Sequence, residues 1–143
     1  MTGHKVAVVE KTTPNRGDVK ETAQNESIQR LTALGNALSD PIRVRMLSLL
    51  VAATVEGREC CSLPALGAPA DAAEKGIGVC VCEFEQYFGL GQSKVSYHLR
   101  KLKEAGLVRE QKCGKWSFYA LDRETATQLI NELSGKLGIA TEL

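Results

Sequence analysis

The stretch Val79–Val108, VCVCEFEQYFGLGQSKVSYHLRKLKEAGLV, constrains this chain more than any other part of it. Two apolar-periodic runs, roughly Cys82–Phe88 and Gln92–Ala105, flank Gly89 and Gly91, residues suited to closing a tight turn. The second run turns Val95, Leu99 and Leu102 to one side and stops at Gly106. Two helices joined by so short a turn make a helix-turn-helix. A Cys-x-Cys, Cys80 and Cys82, stands at the start of its first helix, so thiol chemistry and the support of the second helix share one element.

The flanking sequence completes a unit around this motif. Residues 1–25 are polar, with Pro14, Asn15 and Gly17 breaking any periodicity, and read as a flexible N-terminal arm. A helix is expected over Glu26–Leu38, with Ile28, Leu31, Leu34 and Leu38 on one face. Asp40-Pro41, an N-cap followed by proline at the first helical position, starts a second helix that carries Ile42, Met46, Leu49 and Leu50 inward to about Val55. Residues 56–78 contain Pro64, Gly67, Pro69, Gly76 and Gly78 and read as a flexible insertion, longer than most connections in compact domains. Beyond the helix-turn-helix, Leu107–Lys112 and Lys115–Leu121 alternate as strands about a Cys113-Gly114 hairpin turn. Arg123–Leu137 then places Ala126, Leu129, Ile130, Leu133 and Leu137 at helical spacing, and residues 139–143 are a tail. The expectation is a mainly α, winged helix-turn-helix fold with a β-hairpin wing, one domain over residues 26–138.

The formal charge of +1 hides an uneven distribution. From Gln92 to Tyr119 the basic residues Lys94, Arg100, Lys101, Lys103, Arg109, Lys112 and Lys115 face only Glu104 and Glu110, while Thr54–Gly89 is acidic. A local basic patch serves phosphate contact whatever the total charge. A recognition helix also needs short polar or basic groups at its N-terminal end, where it enters the major groove. Gln92, Ser93, Lys94, Ser96, Tyr97 and His98 supply them, Arg100, Lys101 and Lys103 continue toward the backbone, and Lys112 and Lys115 flank the wing tip. The bland alternatives are a solvated helix face for the charges, and packing rather than base reading for Tyr97 and His98. Double-stranded DNA is the expected partner. No apolar run reaches the length of a signal-peptide core or a membrane span, so a cytoplasmic protein with no membrane partner is expected, and the odd number of cysteines, five, reads as reduced thiols.

The segments LSDPIRVRMLSLL, CVCEF and GLGQSKVSYHLRKLKEAGLV resemble the ArsR/SmtB family of metal-responsive bacterial repressors, over about Leu34–Leu121. The resemblance implies a homodimer with first and last helices at the interface, binding to an operator of dyad symmetry, and release when an effector binds. Gly91 departs from the serine cap of many relatives, a change an N-cap tolerates.

Cys60, Cys61, Cys80 and Cys82 form the candidate metal-ligand set, with Cys113 apart at the hairpin. An all-sulfur site selects soft, thiophilic ions. The family's other common effector site, on the last helix, uses histidine with carboxylates, and Arg123–Leu137 has no histidine. Cys-Val-Cys instead resembles the arsenic, antimony, cadmium and lead branch, which implies arsenic(III) or antimony(III) as inducer, with cadmium or lead as the alternative. The best-known arsenic sites of that branch carry another cysteine where this chain has Glu85, so a third thiolate is expected from Cys60 or Cys61. In a regular helix, residues two apart point about 200° from each other, whereas two sulfurs on one tetrahedral ion lie about 3.7 Å apart for bonds of about 2.3 Å. Binding is therefore expected to unwind the start of the Cys82 helix. Two other readings remain: a thiol-redox-responsive repressor of the same fold, and a disulfide-exchange enzyme. Catalytic acid–base motifs and a thioredoxin-like βαβ pattern are both missing, so no enzyme is expected.

Overall fold

The computed structural model describes residues 3, 13, 15–56 and 78–140. Five helices and a small sheet follow in the order α1 (Arg16–Leu38), α2 (Pro41–Glu56), β1 (Val79–Cys80), α3 (Val81–Phe88), α4 (Gln92–Glu104), β2 (Val108–Cys113), β3 (Trp116–Leu121) and α5 (Arg123–Leu137). This is a mainly α, winged helix-turn-helix fold. Cys60, Cys61 and the expected insertion, apart from its end residues Glu56 and Gly78, lie outside the described residues.

The helix ends follow their sequence signals. The Asp40 carboxylate accepts the Ile42 amide at 2.8 Å at the start of α2, and Asp122 accepts the Thr125 amide at 3.0 Å at the start of α5. Gly89 takes the left-handed conformation that ends α3, and Gly91, extended, opens α4. The core gathers Met46, Leu49 and Leu50 from α2, Phe84 from α3, and Val95, Leu99 and Leu102 from α4, all at most 4 % exposed.

Three expectations are corrected. The first helix begins at Arg16, not Glu26, so residues 16–25 are helix rather than arm. Lys20, Glu21, Ala23 and Gln24 are good helix formers, and they prolong the helix although residues 16–26 are all exposed. The hairpin turn is Gly114-Lys115, one residue later than expected: Cys113 pairs with Trp116, and Gly114 takes φ +59°. Finally, the wing has three strands in the order β1-β3-β2, because Val79 and Cys80 pair antiparallel with Tyr119 and Phe118. A two-residue strand carries no alternation, so periodicity does not reveal it. Gly78 precedes it with φ +112°, and a Cβ there would lie 2.2 Å from the Tyr119 carbonyl oxygen, so the approach of β1 to β3 requires glycine.

Apolar residues left outside the core are concentrated on α1 and α5. Ile28 and Leu38 of the expected α1 face, and Ile130, Leu133 and Leu137 of the α5 stripe, are all more than 40 % exposed. The two helices are tied to each other by Glu132, which accepts from Ser27 at 3.0 Å and from Arg30 at 2.8 Å.

Candidate effector and nucleic-acid sites

The thiol pair occupies the junction of β1 and α3. Cys80 is the extended N-cap of α3, at φ −80° and ψ 159°, and Cys82 is the second helical residue. An N-cap side chain folds over the first turn of its helix, the geometry by which serine or aspartate reaches a first-turn amide. Here Cys80 meets Cys82 instead: the structure pairs the two as a disulfide across 5.5 Å between Cα atoms. The expected 200° divergence therefore does not arise, because Cys80 lies in the strand. The two sulfurs approach each other with α3 intact from Val81 onward. Thiolates there also lie at the amide end of α3, where the helix dipole favours negative charge.

Cys80 is 1 % exposed, whereas Cys82 is half-buried and lines a cleft of about 380 Å³. Three elements wall that cleft: α3 through Cys82 and Glu85, the start of α4 through Gln92 and Ser96, and the hairpin through Lys115 and Trp116. Among the described residues, no cluster of three or more His, Cys, Asp or Glu side chains could hold a metal ion. Two soft donors fit part of a three-thiolate site, and the other two candidate donors, Cys60 and Cys61, are outside the described residues. Cys113 lies at the end of β2.

The expected DNA-facing residues separate by exposure. Gln92, Ser93, Lys94, Ser96, Tyr97, Arg100 and Lys103 line the outer face of α4, with Lys101 half-buried, and Lys112 and Lys115 are exposed on the wing. Tyr97 lies under two cations, 5.6 Å from Arg100 and 5.7 Å from Lys101. His98 is placed differently: it is 7 % exposed, and its Nδ1 lies 3.2 Å from an Arg43 nitrogen. Arg43 also donates to the carbonyls of Ala37 and Asn36 at 2.8 and 2.9 Å. His98 thus fastens α4 to the α1–α2 corner instead of facing a groove, because its position shares the inward face of Val95, Leu99 and Leu102. Burial lowers its pKa, Asp40 opposes that shift, and Arg43 and Lys94 add to it.

One polar knot was not foreseen. Glu110 accepts from Lys103 at 2.9 Å and from Ser117 at 2.8 Å, which binds the wing to α4. These two bonds hold its carboxyl below the usual range, while burial and then Glu110 push the Tyr119 phenol up. The strand alternation that places Glu110 and Ser117 on one face of the hairpin is the signal that points to it.

Comparison with known proteins bears on the same segment. Residues 79–110 match the family described as bacterial regulatory protein, arsR family. An arsenical resistance operon repressor of Bacillus subtilis is 42 % identical over 53 residues, 37 % of this chain and 50 % of that one. A cadmium resistance transcriptional regulatory protein homologue of Staphylococcus aureus is 35 % identical over 54 residues, 38 % of this chain and 45 % of that one. The chain spans about half the length of these curated relatives. A solved ArsR family transcriptional regulator, 21 % identical, covers 76 % of this chain and 93 % of its own, with a TM-score of 0.50, a likeness of fold.

Proposed function

We propose that the chain is a member of the ArsR family of bacterial regulatory proteins, a regulator rather than an enzyme, and that it is a repressor acting in the cytoplasm. It binds operator DNA as a homodimer and leaves it when arsenic(III) or antimony(III) takes the thiolates of Cys80 and Cys82, with Cys60 or Cys61 as the third ligand. The observation that carries this reading is the convergence of Cys80 and Cys82 at the foot of the helix that packs on α4. The names of the relatives, arsenical and cadmium resistance regulators, support a metal or metalloid inducer. The polar outer face of α4 and the two wing lysines suit DNA, and the apolar residues exposed on α1 and α5 suit a second copy.

Transmission runs through the sheet. Cys80 is paired with Phe118 in β3, and β3 continues to the wing tip at Lys115. An ion that re-aims Cys80 against Cys82 shifts β1 on the wing and α3 on α4 together. Linkage then requires the inducer to bind the DNA complex less tightly than the free protein, by the factor it costs DNA affinity.

The test is operator release, with the operator selected from random duplexes. Cys80→Ser and Cys82→Ser are expected to bind DNA like the parent and to ignore arsenite; the double change of Cys60 and Cys61 to Ser blunts the response, and Cys113→Ser leaves it unchanged. Full arsenite response in either Cys80→Ser or Cys82→Ser overturns the reading. Two alternatives have an observation behind them: cadmium or lead, from the named cadmium relative, and a thiol-redox input, from the bonded pair. Thiol loss per ion separates these, about three for arsenic and four for tetrahedral cadmium, with release by oxidant alone marking the redox case.

A further inference from the structure

We propose that Glu110 is a positioning residue for operator recognition: its carboxylate fixes the wing against the recognition helix and withholds Lys103 from the DNA backbone. The proposal rests on the DNA-binding reading, and within it gives a role to a residue whose own charge repels phosphate.

Charge and burial single this carboxylate out. Between Gln92 and Tyr119 the acidic residues are Glu104 and Glu110, among seven basic ones. The Glu104 side chain is 57 % exposed and meets Arg100 and Lys101 only at 3.8 and 3.7 Å, a loose surface arrangement. The Glu110 side chain is 14 % exposed, and both of its oxygens are engaged. Lys103 donates to Oε2 at 2.9 Å and Ser117 donates to Oε1 at 2.8 Å. Those bonds hold the carboxyl in its charged form, below the usual range.

The connectivity shows what the bonds restrain. Only Ala105–Leu107 join α4 to β2, and Gly106 turns the chain there at φ +80°. Lys103 belongs to α4, Glu110 to β2 and Ser117 to β3, so one carboxylate ties the helix to both strands of the hairpin across that turn. Ser117 is the diagonal neighbour of Glu110, whose direct partner across the ladder is Tyr119. A swing of the wing about Gly106 breaks charge-assisted hydrogen bonds.

The pairing also decides how Lys103 is used. A lysine that neutralises a phosphate releases counterions and steepens the salt dependence of binding by about 0.9 in log–log slope. Such a contact carries no sequence information. Held on Glu110, Lys103 contributes orientation in place of attraction to any duplex. An operator requires α4 and the wing to engage together, whereas random DNA does not, so the tie favours the operator.

The experiment measures binding to a selected operator and to random duplex over a salt series, by fluorescence anisotropy, with folding checked by thermal melting. Glu110→Gln keeps the shape and removes the charge. Its operator preference is expected to fall about tenfold, while its random-duplex affinity rises and the slope steepens by about 0.9. Adding Lys103→Gln is expected to restore the parental slope and to lower the preference no further, since the pair is already broken. Ser117→Ala keeps every charge and removes one bond; it is expected to lower the preference about threefold at unchanged slope, and it decides the matter if Glu110→Gln does not fold. A parental preference in either single variant overturns the proposal. So does a parallel loss on both duplexes at unchanged slope in Glu110→Gln, which is the mark of support for the fold alone. An additive further fall in the double variant overturns the link through Lys103. A parent with no operator preference overturns the DNA-binding reading itself.

Discussion

Helices α4 and α5 are of similar length, 13 and 15 residues, and both carry an apolar stripe, yet the structure spends those stripes differently. In α4, Val95, Leu99 and Leu102 are completely buried, and what remains outside is polar or charged apart from the half-exposed ring of Tyr97. In α5, Leu129 is buried at 2 %, while Ile130, Leu133 and Leu137 remain exposed at 41–62 %. The difference matches what the proposed DNA contact of α4 and the proposed self-association through α5 would each need. A helix whose apolar residues are all used inside its own domain offers solvent-compatible groups to its partner, as a polyanion requires. A helix that leaves leucines outside its own core offers them to another apolar surface.

The sharpest way to break this comparison is to truncate one leucine from each helix. Leu99→Ala removes a side chain with no exposed surface and is expected to cost about 3 kcal/mol of folding stability, read from urea denaturation. A loss below about 1 kcal/mol means that α4 is not anchored as described. Leu133→Ala is expected to leave the single-chain fold intact and to weaken self-association by about 2 kcal/mol, or roughly thirtyfold in dissociation constant, by sedimentation. If this variant sediments as the parent does at every concentration, the α5 face is not an interface.

A smaller effect sharpens the α4 half. His98 has a folded-state pKa below its ordinary 6.5, chiefly through burial, with Asp40 opposing and Arg43 and Lys94 adding. A base with a depressed folded pKa contributes its full stability above the unfolded value and loses it as pH falls through the folded one. Stability is therefore expected to decline on acidification below about pH 6.5, and His98→Gln to flatten that part of the profile. An unchanged pH profile in His98→Gln removes the histidine from the account.

Periodicity and capping carried most of the fold. The bounds of α5 came out as read, and α2, α3 and α4 shifted by one residue at an end, because Asp40-Pro41, Gly89 and Gly91 act locally on the backbone. Wherever tertiary contact decides, residue patterns were silent. Val79–Cys80 is a strand only because β3 lies beside it, and that contact turned the cysteine geometry from divergent to convergent. His98 looks polar in a list of letters, but its place on the stripe of Val95 and Leu102 sends it inward to Arg43. Conversely, Ile130 and Leu133 have core spacing but no core beneath them, since spacing defines a face without naming its partner.

Trp116 is the single tryptophan of the chain, and it stands where the cleft beside Cys82 meets the wing tip. The protein thereby carries its own optical probe. Indole emission depends on polarity and on nearby cations, and here the Lys115 ammonium lies 5.7 Å from the ring. Any event that parts the wing from the thiol pair changes that surrounding and hence the emission colour and intensity. Effector loading becomes observable on the unlabelled protein in real time, and the burst and slow phases of a stopped-flow trace would separate sulfur exchange from the movement of the wing.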